Sequence, residues 1–77
     1  WDVARRIVAS VIALPDPPTT GPDLRLHRVV RRVRLSAVAR CAAWSRQRVT
    51  AIEASALPTR RSIERYLDAL DRAAAER

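Results

Sequence analysis

The fold is decided by one stretch, Val38-Ala39-Arg40-Cys41-Ala42-Ala43-Trp44-Ser45-Arg46-Gln47-Arg48-Val49-Thr50-Ala51-Ile52-Glu53. Val38, Ala39 and Ala42 share one face of a short helix, and Val49 with Ile52 share one face of the next, the spacing expected of amphipathic helices. Between the two, Ala43-Trp44-Ser45 leaves room only for a tight turn, and Ser45 offers a hydroxyl to the orphan amide protons of the second helix. Ala39, Ala42 and Ala43 are small enough for the helices to meet closely, and Trp44 is expected in the core, plugging the angle between them. Two helices crossing steeply about a small apolar contact make a helix-turn-helix. Its second helix would turn Arg46, Gln47, Arg48, Thr50 and Ala51 outward.

The same helical period extends in both directions. Val3, Ala4, Ile7, Val8, Val11 and Ile12 form a stripe towards the amino terminus. Leu26, Val29, Val30 and Val33 form another, and Ile63, Tyr66, Leu67, Leu70 and Ala74 a third beyond Pro58. No run alternates with period two, so the fold class expected is all-α, a compact bundle of about five short helices. Pro15, Pro17, Pro18, Gly21 and Pro22 fall together, a density that breaks helices and central strands alike. The chain therefore divides into an amino-terminal amphipathic helix (1–14), a proline-rich linker (15–22) and a helical domain (23–77). Asp23, Ser36, Ser45 and Thr59 each stand where an N-cap belongs. Helices are predicted at about 2–13, 24–34, 37–43, 46–54 and 60–75, with one longer helix over 24–43 as the alternative to the second and third.

Charge is the second signal. Fifteen basic residues, every one an arginine, face eight acids in 77 residues, a net charge of +7. The excess is concentrated, because Asp23 to Arg65 holds eleven arginines and three acids while the remainder is slightly acidic. A basic block on a small domain is the footprint of a polyanion binder. One cysteine excludes an internal disulfide and one cysteine with one histidine excludes a structural zinc site. A reducing, cytoplasmic setting is the default. The longest apolar run, Ile7 to Leu14, is far short of a membrane span, and no small-residue cleavage site follows it as a signal peptide requires. The absence of an initiator Met suggests a longer chain. No paired carboxylates in a plausible cleft, no Ser–His–Asp set and no Gly-rich phosphate loop are present, so no enzyme and no cofactor are expected.

These residues resemble the Cro/repressor-type, lambda-repressor-like (XRE) helix-turn-helix family over about 24–70. Val38-Ala39 is similar to that family's first apolar–small pair and Ala43-Trp44-Ser45 to its turn. Val49, Ile52 and Glu53 resemble its later positions, and Pro58-Thr59 the start of its following helix. Ala43 stands where the family usually has Gly, which is accommodated if its φ stays negative, and the Gln that usually opens the helix pair is missing. The resemblance implies a sequence-specific double-stranded DNA-binding transcriptional regulator, a repressor of phage, plasmid or bacterial origin acting at the nucleoid. Arg46, Gln47, Thr50 and Ala51 would then read bases in the major groove. Ser36, Arg40, Ser45, Arg48, Arg60 and Arg61 would meet phosphates, Arg60 and Arg61 aided by a helix N-terminus.

The remaining residues carry plainer expectations. Glu53, an acid amid arginines, is expected to pair with one of them and fix its rotamer. Cys41, Tyr66 and Trp1 read as packing residues and His27 as a surface histidine. Such proteins commonly bind as two-fold dimers, so a homodimer is expected, with the amino- or carboxy-terminal helix available to a protein partner. The competing functions are the antitoxin of a toxin–antitoxin operon, a basic helical protein–protein adaptor and a non-specific DNA coater.

Overall fold

The computed structural model describes residues 14–76, and every regular element in that span is a helix. The four helices are α1 (Gly21–Val30), α2 (Leu35–Ala42), α3 (Arg46–Ala54) and α4 (Arg60–Ala75). The helix expected over 2–13, and Trp1 with it, lie outside the described residues. None of the helices described is long and apolar enough to cross a membrane.

α3 and α4 begin and end where the sequence places them, because their caps are local. The Ser45 hydroxyl accepts the Arg48 amide proton at 3.1 Å, and the Thr59 hydroxyl accepts that of Ser62 at 3.1 Å. α1 starts earlier than expected. Thr20, not Asp23, is its N-cap, and Asp23 is the third helical residue of a capping box. The Thr20 hydroxyl accepts from the Asp23 amide at 3.2 Å while the Asp23 carboxylate accepts from the Thr20 amide at 3.3 Å. Hydrogen bonds to the Asp23 carboxylate, that from the Thr19 backbone foremost, hold its pKa below the usual aspartate range. Gly21 and Pro22 thus open a helix that they were expected to precede, since a first turn has no use for the amide proton that proline lacks.

α1 and α2 are separate helices, and each ends in the same device. Val33 N–H reaches back to Arg28 C=O and Arg32 N–H to Val29 C=O; Trp44 N–H reaches Ala39 C=O and Ala43 N–H reaches Arg40 C=O. Both are Schellman motifs, whose αL residue is usually glycine. Here Arg32 and Ala43 take that conformation, each with φ of 57°. Ala43 therefore does not meet the condition of a negative φ under which it would be accommodated freely, and the departure costs about 1–2 kcal/mol relative to glycine. The start of α2 is also corrected: Arg34 is its N-cap, with no side-chain cap bond, and Ser36 lies inside the first turn.

Leu24, Val38, Val49, Tyr66 and Leu70 are the largest fully buried side chains, and Ala39, Ala42, Ala69 and Ala73 let α2 and α4 pack closely. The stripe Leu26, Val29 and Val30 does not join this core; those side chains are 39%, 51% and 47% exposed on the outer side of α1. The inward face of α1 is instead Gly21, Leu24 and Arg28. Gly21 fixes that choice, because its amide donates to Ser55 C=O at 2.8 Å. A Cβ at Gly21 would stand 2.2 Å from the carbonyl oxygen of Ile52, so only glycine lets α1 rest its backbone on the end of α3.

Candidate nucleic-acid interface

Ser45 fixes the start of α3, and the core contacts of Val49 and Ile52 fix its rotation. Together they leave Arg46, Gln47, Arg48, Thr50 and Ala51 exposed. At 100° per residue, Arg46, Gln47, Thr50 and Ala51 occupy one arc of the helix surface and Arg48 its flank. The structure thus brings the four expected base-reading residues onto one face. Thr50 already donates its hydroxyl proton to Arg46 C=O at 3.0 Å, which leaves its oxygen as an acceptor.

Glu53 lies on the core side of α3, next to the edge of that arc, and is buried, 7% exposed. Its carboxylate accepts from Arg28 Nε at 2.9 Å, from Arg28 Nη2 at 3.1 Å and from the Tyr66 hydroxyl at 2.7 Å. Arg28 also donates Nη1 to Val33 C=O at 3.1 Å. One carboxylate therefore ties α1, α3 and α4, and the two-point Arg28 bond is a strong kind. The hydrogen bond to Glu53 also raises the pKa of Arg28 above its already high value. Burial, and then the hydrogen bond to Glu53, pushes the Tyr66 phenol well above its ordinary pKa of 10.0. The expected arginine partner of Glu53 exists, and Tyr66 is more than packing. Among the described residues no buried side-chain nitrogen or oxygen lacks a partner.

Four other acids pair with arginines at the surface. Glu64 pairs with Arg60 at 3.3 Å, Asp68 with Arg72 at 3.3 Å, and Glu76 with Arg40 at 2.6 Å. Asp71 pairs with Arg31, and Asp23 is held in its cap. What remains without a carboxylate partner among the described residues is Arg25, Arg32, Arg34, Arg46, Arg48, Arg61 and Arg65. Their distribution is uneven. Arg25 lines a hollow beside α3 with Thr50, Ala54 and the Arg28–Glu53 pair, whose charges cancel each other. Arg48, Arg61 and Arg65 line a cleft on the α4 side. α3 is thus flanked on both sides by uncompensated guanidinium groups.

The expected phosphate-contacting residues separate into two sets. Arg48 and Arg61 lie together in the α4-side cleft, and Arg60 is adjacent in sequence and exposed but engaged with Glu64. Ser45 spends its hydroxyl on the α3 cap. Arg40 sits elsewhere, gathered with Arg32 and Arg34 around a cleft of about 240 Å³ that Glu76 also lines. Ser36 is exposed in the first turn of α2 without a cap role. Sequence reading missed Arg25 and Arg65, whose approach to α3 and the turn depends on tertiary packing. Trp44, expected in the core, packs against it half-buried, with Arg48 and Arg65 over its ring, 5.3 and 5.7 Å from the centroid. His27 is half-buried too, its Nε2–H donating to Pro15 C=O at 2.7 Å. Cys41 packs against the core, half-buried as expected.

Among the described residues no group of three His, Cys, Asp or Glu side chains could hold a metal ion. In comparisons with family models, curated proteins and solved structures, none matches the chain.

Proposed function

We propose that the protein is a sequence-specific double-stranded DNA-binding regulator of transcription, a repressor, in which α2 and α3 act as a lambda-repressor-like helix-turn-helix. The observation that carries this reading is the exposed face of α3. It presents Arg46, Gln47, Thr50 and Ala51 together, on a rigid helix capped by Ser45, with unpaired arginines on both flanks. An α-helix fits the B-DNA major groove, and the flanking cations would meet the two phosphate backbones. Arginine favours guanine and glutamine favours adenine by bidentate hydrogen bonding. Two-fold dimers on pseudo-palindromic sites are the common arrangement for such helices, and a homodimer in the cytoplasm, on the nucleoid, belongs to this proposal.

The test is selection of the purified chain against random duplexes at moderate salt, followed by sequencing of the retained DNA. The proposal expects enrichment of one motif, arranged as a palindrome if the chain binds as a dimer. Retention without a motif would reduce the protein to a non-specific DNA coater. No retention at low salt would overturn the reading and favour an adaptor for an acidic protein partner.

A further inference from the structure

The cleft between the α2–α3 turn and the start of α4 has a volume of about 280 Å³ and is lined by Trp44, Arg48, Thr59, Arg61, Ser62 and Arg65. Three guanidinium groups and no carboxylate meet there. Like charges converging on one cleft repel one another, and a chain with acids to spare would place one among them. Here Glu64, the nearest acid in sequence, is turned to Arg60 instead.

The arrangement is also fixed rather than loose. Arg65 donates Nε and Nη2 to Ala42 C=O at 3.0 and 2.8 Å, satisfying a terminal carbonyl of α2 while leaving Nη1 uncommitted. Arg48 and Arg65 share the ring of Trp44, a cation–π contact that orders both side chains. Thr59 donates its hydroxyl proton to Ser62 Oγ at 2.9 Å, so the Ser62 proton is left to donate elsewhere. The cleft thus offers several ordered donors, three positive charges and no acceptor of matching charge.

We infer that this cleft binds a single phosphate group, that of the duplex backbone beside α3. Arg48 and Arg61 would bond its oxygens, with the Ser62 hydroxyl as a further donor. Arg65 and Trp44 are positioning residues that hold Arg48 and the turn in place. This assignment rests on the reading of α3 as a major-groove helix, and its ligand chemistry, a phosphate oxygen cluster, is shared with free inorganic phosphate.

The experiment measures equilibrium binding of the full chain and of R48A, R61A and R65Q to a selected duplex and a scrambled duplex over a range of salt. Loss of one phosphate contact should lower the log–log salt slope by about 1 and weaken both duplexes by the same factor, roughly fivefold near 0.15 M salt. R61A should do this with an unchanged melting temperature, because Arg61 is exposed and bonds to nothing among the described residues. R65Q, measured well below its melting temperature, should show the same loss of slope, which a purely structural role would not produce. Unchanged slopes in R48A and R61A, with discrimination still lost in R46A, would overturn the cleft and leave the reading of α3 intact. If the chain binds no duplex, titration with inorganic phosphate decides. Shifts of the Arg61 and Ser62 amides that vanish in R61A would move the assignment to free phosphate, and their absence would overturn it.

Discussion

Arg28 and Arg48 are the same residue in opposite circumstances. Arg28 is buried against Glu53 and Val33, with its charge cancelled and its donors spent on α3 and on the α1–α2 connection. Arg48 lies exposed over Trp44, in a cleft whose other charged neighbours are also arginines. The first region converts charge into a fixed angle between helices, and the second keeps charge available for a ligand. A basic composition alone cannot separate these uses; the carboxylates do, because each ion pair marks an arginine that is already occupied.

The largest effect is expected of Glu53→Ala. It strands a buried guanidinium and the Tyr66 hydroxyl together, and loss of one partner of a buried pair costs about 3–5 kcal/mol. Chemical denaturation of the full chain should show it; a loss below about 1 kcal/mol would mean that the node is not structural. Next in size is base discrimination. Arg46→Ala and Gln47→Ala should each lower the preference for a selected duplex over its point variants by about 5- to 150-fold, equivalent to about 1–3 kcal/mol. Their melting temperatures should match that of the unmodified chain, the reverse of the pattern at Glu53.

Gly21→Ala comes third, since its Cβ would collide with the α3 backbone, and overpacking of this kind costs about 1–3 kcal/mol. Thermal unfolding reads this directly. The Tyr66 node also has a signature in pH. A phenol whose pKa is raised by folding contributes stability that is complete below its unfolded pKa, about 10, and is lost as pH rises beyond it. Stability should therefore fall above about pH 10, and Tyr66→Phe should remove that component of the fall. Smallest and opposite in sign is Ala43→Gly, which relieves a left-handed backbone and should stabilise by about 1 kcal/mol.

How much of this was legible in the sequence follows from which signals are local. α3 and α4 were readable to the residue because Ser45 and Thr59 cap within three residues of themselves. α1 was misplaced because Gly21 and Pro22 look like breakers, yet they serve as a close-contact point and a first-turn residue. The stop of α1 was invisible because Arg32 occupies a position that glycine would have announced, whereas that of α2 was read to within one residue from the turn Ala43-Trp44-Ser45. Leu26, Val29 and Val30 mimic an inward stripe, but the inward face was chosen by Gly21 and Arg28 through partners more than twenty residues away. The candidate face of α3 was legible for the same reason as its caps. Arg25 and Arg65 were not, because only tertiary packing carries them to its flanks.

Two basic clefts now compete as the place where a polyanion would sit, one at Arg48, Arg61 and Arg65 and the other at Arg32, Arg34 and Arg40. Backbone amide shifts of the chain during titration with a selected duplex separate them most directly. The account predicts the largest shifts over 46–51 and 61–62, with those over 26–30 on the outer side of α1 unmoved. Shifts concentrated instead at Arg32, Arg34 and Arg40, with 46–51 silent, would contradict it.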